Sequence, residues 1–318
     1  MKKIQFLSLA FCWFLGACTL GQTHEFAPPQ QEIVYQAIQT DMDGEDRNAT
    51  QVGFINSDGS GNTLVDVGFR AGVPVYSRKM QGLLFHVGGI NPVDLDPLAT
   101  QGDLIFLTPE GKSRKCKSIN FAWFITPTTD PNVVFVHKRE ELLLLDIESC
   151  SIVKTLLKTK DGQIGAALLS ESEKYVIFYG NTPYYGDAYG GVNRNNLATN
   201  IFIMPVDSAI PQKVVERALN ASISPDDKKI AFVRENGIYL SNLDGSDQIR
   251  LVPLNSDDDE ATLFPFPQWS PDGRYLIYHK CQNTKCYHLK DFSMYIFDLE
   301  AMAETKIADN GLFPTWIR

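Results

Sequence analysis

The sequence predicts an all-β fold: a six-bladed β-propeller whose ring is closed by a carboxy-terminal strand joining the amino-terminal blade. Three observations predict it. A unit of four short, apolar strands recurs roughly every 45–50 residues, the spacing of propeller blades. Its two clearest copies share a tight turn, Ser224-Pro-Asp-Asp and Ser270-Pro-Asp-Gly. The two chain ends are complementary fragments of one further unit.

In chain order, residues 1–17 read as a signal peptide. Lys2 and Lys3 form a charged start, and an apolar run from Ile4 to Phe14 follows. That run is too short to cross a bilayer as a helix but has the length of a signal core. It closes on Leu15-Gly-Ala-Cys18: an apolar residue, two small ones and a cysteine. This ending resembles the lipobox of bacterial lipoproteins. The resemblance implies cleavage before Cys18, diacylglycerol on its sulfur and acylation of its new amine. The mature chain would then be lipid-anchored in the cell envelope, and Thr19 in place of an Asp implies the outer membrane. Several acyl chains hold far more firmly than one, because each buried methylene adds about 0.8 kcal/mol. Residues 18–32 are polar, contain Pro28-Pro29, and read as a flexible tether.

Residues 33–318 read as the propeller. The amino-terminal unit starts at a second strand, Ile33-Val-Tyr35, and continues with Val52-Gly-Phe-Ile55 and residues 62–67. Three weaker copies follow, with turn markers at Ser77, Thr126 and Ser170. Their second strands are Leu83-Leu-Phe-His-Val87, Val133-Val-Phe-Val136 and Tyr175-Val-Ile-Phe-Tyr179. Near-continuous apolar runs suit strands covered on both faces by neighbouring blades. The fifth and sixth copies carry the Ser-Pro-Asp turns, where Pro presets φ and Asp and Gly suit the turn. Finally, Phe313-Pro-Thr-Trp-Ile-Arg318 matches Phe266-Pro-Gln-Trp-Ser-Pro271, the start of a first strand. Joined to the amino-terminal fragment it completes a sixth blade and removes the exposed sheet edges.

At Ser224-Pro-Asp-Asp and Ser270-Pro-Asp-Gly the repeat resembles that of the TolB-type propellers. The resemblance covers residues 33–318 and does not extend to the α/β domain that precedes the propeller in that family. It implies blade architecture and carries no catalytic residue.

Hydrophobic residues make up 44% of the 318, enough for a large core, and the formal net charge is −9. An acidic surface repels phosphate backbones, so no nucleic-acid partner is expected. After removal of Cys12 and lipidation of Cys18, four cysteines remain: Cys116, Cys150, Cys281 and Cys286. An even number in an oxidising compartment suggests disulfides. Cys281 and Cys286 face each other across a loop and read first as a pair. The flanking His279 and His288 leave a Cys₂His₂ zinc site as the alternative. A Cys116–Cys150 bridge would link the second and third blades. Asp41-Met-Asp-Gly-Glu-Asp46 lacks the Gly and Glu spacing of a calcium loop and reads as a solvated acidic loop. No metal or cofactor is expected.

The longest connections, residues 36–51, 88–103, 180–199, 253–265 and 279–293, all belong to one face of the ring. The other face carries tight turns. Long loops grouped on a rigid scaffold are the usual place for recognition. The loop holding Tyr184, Tyr185, Asp187, Tyr189, Asn193 and Arg194 combines residue types enriched at binding hot spots. Those tyrosines could equally pack onto the propeller shoulder. No nucleophile elbow or phosphate loop is present. His86 and His137, at the ends of second strands, read as structural. The expected function is therefore a non-enzymatic scaffold that binds an envelope protein or glycan through the long-loop face. The alternative is a propeller enzyme, a polysaccharide lyase or hydrolase, with a His/Asp site at the channel mouth.

Overall fold

The computed structural model describes residues 25–40, 46–47, 51–67, 71–87, 103–116, 122–138, 140–159, 164–180, 199–234, 237–254, 265–281 and 291–318. These contain six four-stranded antiparallel sheets and a two-residue ribbon pairing Gln39–Thr40 with Asp46–Arg47. No α-helix occurs among the described residues. The sheets are the blades of a six-bladed propeller.

Blade 1 is built from both chain ends, in the order Gly311–Trp316, Ile33–Ala37, Gln51–Ile55, Thr63–Asp66. Its closing register pairs Ile33 with Trp316 and Ala37 with Gly311. Blades 2 and 3 start at Ala71–Ser77 and Ala122–Pro127, blades 4 and 5 at Ala167–Leu169 and Leu219–Ile223, and blade 6 at Gln268–Trp269. Each then runs outward in sequence order.

Burial explains the strand composition. The inner strands Ile33–Ala37 and Ala71–Ser77 are buried along their whole length, because neighbouring blades cover both faces. The outermost strands Thr63–Asp66 and Ser151–Lys158 are largely exposed and mix polar with apolar residues, leaving Leu64, Ile152 and Val153 in solvent. Blade-to-blade packing is aliphatic and aromatic throughout. Between blades 1 and 2, for example, Val34, Phe54, Tyr76, Leu83 and Phe85 form one cluster.

The repeated turn has a local cause. Ser224 Oγ accepts from Lys229 N at 2.9 Å and bonds Asp226 at 2.7 Å, and Ser224 N donates to Lys229 O at 2.9 Å. Ser270 repeats this with Tyr275 N at 2.8 Å and Asp272 at 2.5 Å. The Ser224 hydroxyl holds the Asp226 carboxyl below its ordinary value. The turn's last corner lies in the left-handed region: Gly273 at φ 74°, Asp227 at 59° and Glu173 at 60°. The motif is thus a turn clamp. In blade 3 it corrects the sequence marker by two residues. Thr128, not Thr126, takes the serine's place, with its N donating to Val133 O at 3.4 Å.

Residues 25–32, expected as the end of a tether, lie against the turn face of blades 1 and 2. Phe26 stacks on Phe54 with ring centroids 6.2 Å apart and meets Tyr76 edge-on at 6.4 Å. Phe26 N donates to Pro109 O at 2.9 Å, and Arg78 donates to Gln31 O at 3.1 Å. A Cys116–Cys150 disulfide, with Cα atoms 5.3 Å apart, joins blade 2 to blade 3.

Candidate functional site: the axial pocket

First strands run from the long-loop face to the turn face and line the central axis. Residues from all six blades enclose a pocket of about 730 Å³ there, open solvent at its mouth included. Two layers of side chains build it. The deeper layer contains Phe313, Val73, Phe124 and Phe266, and the shallower one Thr315, Val75, Thr126, Leu168, Ser222 and Gln268.

The deep layer is a plug. Phe124 of blade 3 and Phe266 of blade 6 come from opposite sides of the ring. Their rings stack across the axis at 4.8 Å with an interplanar angle of 23°. Val73, Ala166, Phe313 and Ile38 complete the cluster. Phe313 enters it at φ 48°, a left-handed conformation uncommon for an aromatic residue. Asn220, the matching residue of blade 5, is also left-handed, at φ 49°. The register of the first strand breaks at this level in blades 1, 2, 3 and 5. Such bulges re-aim a side chain without ending the strand.

The shallow layer sets polar side chains beside Val75 and Leu168, and three of its hydroxyls bond neighbouring strands. Ser222 donates to Pro267 O at 2.6 Å, Thr315 to Pro74 O at 2.9 Å, and Thr126 accepts from Leu169 N at 3.4 Å. The indole N–H groups of Trp269 and Trp316 donate to Ser222 O at 3.2 Å and Gln268 O at 3.3 Å. These bonds tie neighbouring first strands around the ring. The surface open to a ligand is mainly aromatic and aliphatic.

Charge enters at the turn face. Glu171 and Arg318 line the pocket there. Burial lowers the Arg318 pKa, and the Glu171 charge opposes that shift.

Behind the pocket wall lies a set of buried polar side chains at matching positions of second strands: Gln36, His86, His137 and His279. His279 Nδ1 accepts from Phe313 N at 3.3 Å, and its ring lies 4.9 Å from that of Phe313. Its Nε2 has no hydrogen-bond partner among the described residues. Burial alone pushes the His279 pKa down to about 3, so the imidazole is neutral. None of the three histidines lines the pocket.

Tyr184, Tyr185, Asp187, Tyr189, Asn193 and Arg194 lie outside the described residues, as do Cys18, Cys286, His288 and residues 41–45. Cys281 ends the second strand of blade 6 and is disulfide-bonded. No cluster of potential metal ligands occurs among the described residues. The axial pocket was not anticipated from sequence. Its signal was the shared Phe-Pro-x-Trp of the last two first strands, which places a phenylalanine in the plug and a tryptophan in the wall of both.

No family model matches the sequence. No curated protein matches it either. Solved structures match the fold. TolB from Acinetobacter baumannii superposes with a TM-score of 0.62 at 14% identity, covering 91% of this chain and 67% of that one. A chain of the nidogen/laminin complex gives 0.62 at 8% identity, with 90% and 98% covered. Oligogalacturonate lyase from Vibrio parahaemolyticus gives 0.51 at 13% identity, with 88% and 74% covered. At these identities the likeness establishes the propeller and nothing finer.

Proposed function

We propose that this propeller is a lipid-anchored protein of the bacterial envelope that serves as a non-enzymatic binding scaffold. The observation that carries this reading is the chemistry of the axial pocket. Its wall holds no histidine, cysteine or aspartate among the described residues, its carboxylate Glu171 sits at the mouth, and Ser222 and Thr315 donate their hydroxyls to neighbouring strands. Acid–base or nucleophilic catalysis requires a pair of such groups aimed at the substrate. An apolar cavity with charge confined to its mouth suits binding. The polysaccharide lyase or hydrolase alternative places a His/Asp site at the channel mouth; the carboxylate that lines the pocket there is Glu171, and His86 and His137 are buried and outside the lining.

The anchor gives this scaffold an orientation. Residues 25–32 are held at the turn face, where the pocket opens. A chain spans at most about 3.5 Å per residue, so lipid on Cys18 would lie within roughly 25 Å of Glu25. In this reading the pocket mouth faces the membrane. The long-loop face, with Tyr184, Tyr185, Asp187, Tyr189, Asn193 and Arg194, faces away toward an envelope protein or glycan.

The test is cross-linking in intact envelopes. Wild type is compared with a Tyr184→Ala/Tyr185→Ala/Arg194→Ala variant and with a pocket-filling Val75→Trp variant, all shown to be folded. Loss of a specific partner in the triple variant supports the loop face, and loss in the pocket variant supports the channel. Identical capture by all three sinks both sites. Turnover of an envelope glycan by the purified protein would establish the enzyme alternative.

A further inference from the structure

Among the described residues, the cation that lines the axial pocket is Arg318, at its mouth. A guanidinium offers five N–H donors in a planar fork and no acceptor. Among the described arginines that are drawn into contact, Arg78 donates to Gln31 O at 3.1 Å and Arg114 to Ile147 O at 3.3 Å. Arg274 pairs with Asp298 at 2.7 Å, and Arg234 donates to Gln248. Arg318 is part-buried and lines the pocket, and its guanidinium has no hydrogen bond or ion pair to any described residue. Glu171 acts on it only through its field. The Arg318 backbone is meanwhile fixed, with its N donating to Tyr76 O at 3.4 Å and its O accepting from Arg78 N at 2.5 Å. An anchored cation is therefore held at the mouth of an apolar cavity with its donors free.

We propose that the pocket is a monocarboxylate site. The Arg318 fork takes the carboxylate, and the Phe124, Phe266 and Phe313 floor takes an apolar or aromatic group attached to it. This rests on the reading of the pocket as a binding site. Three features select this class. Arginine pairs a carboxylate through two parallel bonds, and partial desolvation strengthens them. The Trp269 and Trp316 N–H groups are used by neighbouring strands, so the walls offer ring surface to an apolar group. Glu171 at the same mouth offsets the Arg318 charge, so a singly charged acid meets less repulsion from it than a phosphate or sulfate dianion. The carboxylate could belong to a small free acid or to the end of a peptide, and the experiment separates the two.

Binding is followed by tryptophan fluorescence and calorimetry on the full-length lipoprotein in neutral phosphatidylcholine vesicles. The probes are 3-phenylpropionate, 3-phenylpropan-1-ol, phenyl phosphate, and a tetrapeptide ending in phenylalanine with a free or amidated carboxy terminus. The proposal expects the acid to bind at least tenfold more tightly than the alcohol. Arg318→Gln should abolish that preference while leaving the melting temperature unchanged, and Arg318→Lys should keep part of it. Glu171→Gln should raise the affinity for phenyl phosphate. A peptide that binds more tightly than 3-phenylpropionate, and only with its free terminus, identifies chain ends as the ligand. The reverse order identifies small acids. Equal binding of acid and alcohol, or no effect of Arg318→Gln, overturns the carboxylate assignment while the pocket stands. If neither acid nor alcohol binds, the pocket reading itself falls.

Discussion

Phe124 and Phe266 stack face to face across the propeller axis, 4.8 Å between ring centroids, although they belong to opposite blades. This contact closes the channel between its two faces and turns a tube into a pocket. Truncating either ring removes a large buried side chain and leaves a cavity. We expect Phe266→Ala to cost about 3–5 kcal/mol in urea unfolding. The Phe124→Ala/Phe266→Ala pair should cost less than the sum of the two, because each has already lost its partner in the single variant. Full additivity would show that the rings do not pack on each other.

The second expectation concerns pH. Burial holds the His279 pKa at about 3, below the ordinary value of 6.5. The unfolded chain therefore binds a proton that the native chain does not, between these two values. The associated stability is complete above about pH 6.5 and is lost as the pH falls toward 3, at roughly 1.4 kcal/mol per pH unit. Melting temperatures of wild type and His279→Gln across pH 7 to 4 check this. The variant's curve should be the flatter, and parallel curves would remove His279 as the source.

A third concerns the Cys116–Cys150 bridge between blades 2 and 3. In the chain-entropy account a loop of this length contributes about 3–4 kcal/mol by restricting the unfolded state. A Cys116→Ser/Cys150→Ser variant should melt several degrees lower than wild type without reductant. Reductant alone is a poorer test, because Cys281 is also disulfide-bonded.

Ring closure is the fourth. Trp316 Nε1 donates to Gln268 O at 3.3 Å, joining the last strand of the chain to blade 6, while its backbone pairs with Ile33. Trp316→Phe keeps most of the packing and removes the donor, which should cost about 1–2 kcal/mol. Trp316→Ala should cost about 3–5 kcal/mol. Native-state hydrogen exchange should show the loss first in Ile33–Ala37, whose inner neighbour is that strand. Uniform loosening of all six blades would argue against a local closure.

The last concerns the anchor. If Cys18 is lipidated, cells fed a labelled fatty acid should incorporate it into wild type and not into Cys18→Ser, and the variant should leave the membrane fraction. With the anchor intact, a cysteine-reactive probe at Glu171→Cys should be more shielded in membranes than one at Asp187→Cys. Equal labelling of the two would sink the proposed orientation.

The blades were legible in the sequence because their signals are local. Ser224 and Ser270 clamp their turns within a few residues, so the motif announces its structure wherever it stands. Near-continuous apolar runs such as Leu83–Phe85 report burial on both faces. The match of Phe313–Arg318 to Phe266–Pro271 gave the closure of the ring, because a strand without its blade and a blade without its strand have one economical solution. Blade 3 shows the limit of local reading: Thr126 and Thr128 are both plausible markers, and only strand register assigns the turn to Thr128 and the channel to Thr126. The lining of the pocket is not a local property. Phe124 and Phe266 meet because six blades of fixed width bring opposite first strands to one axis. Phe313 faces that axis where the register of blade 1 is bulged. Arg318 reaches the pocket because the closed ring sets Tyr76 and Arg78 against its backbone. Local chemistry therefore determined the repeat and its count. Closure of the ring, a relation among all six blades at once, decided which side chains share the pocket.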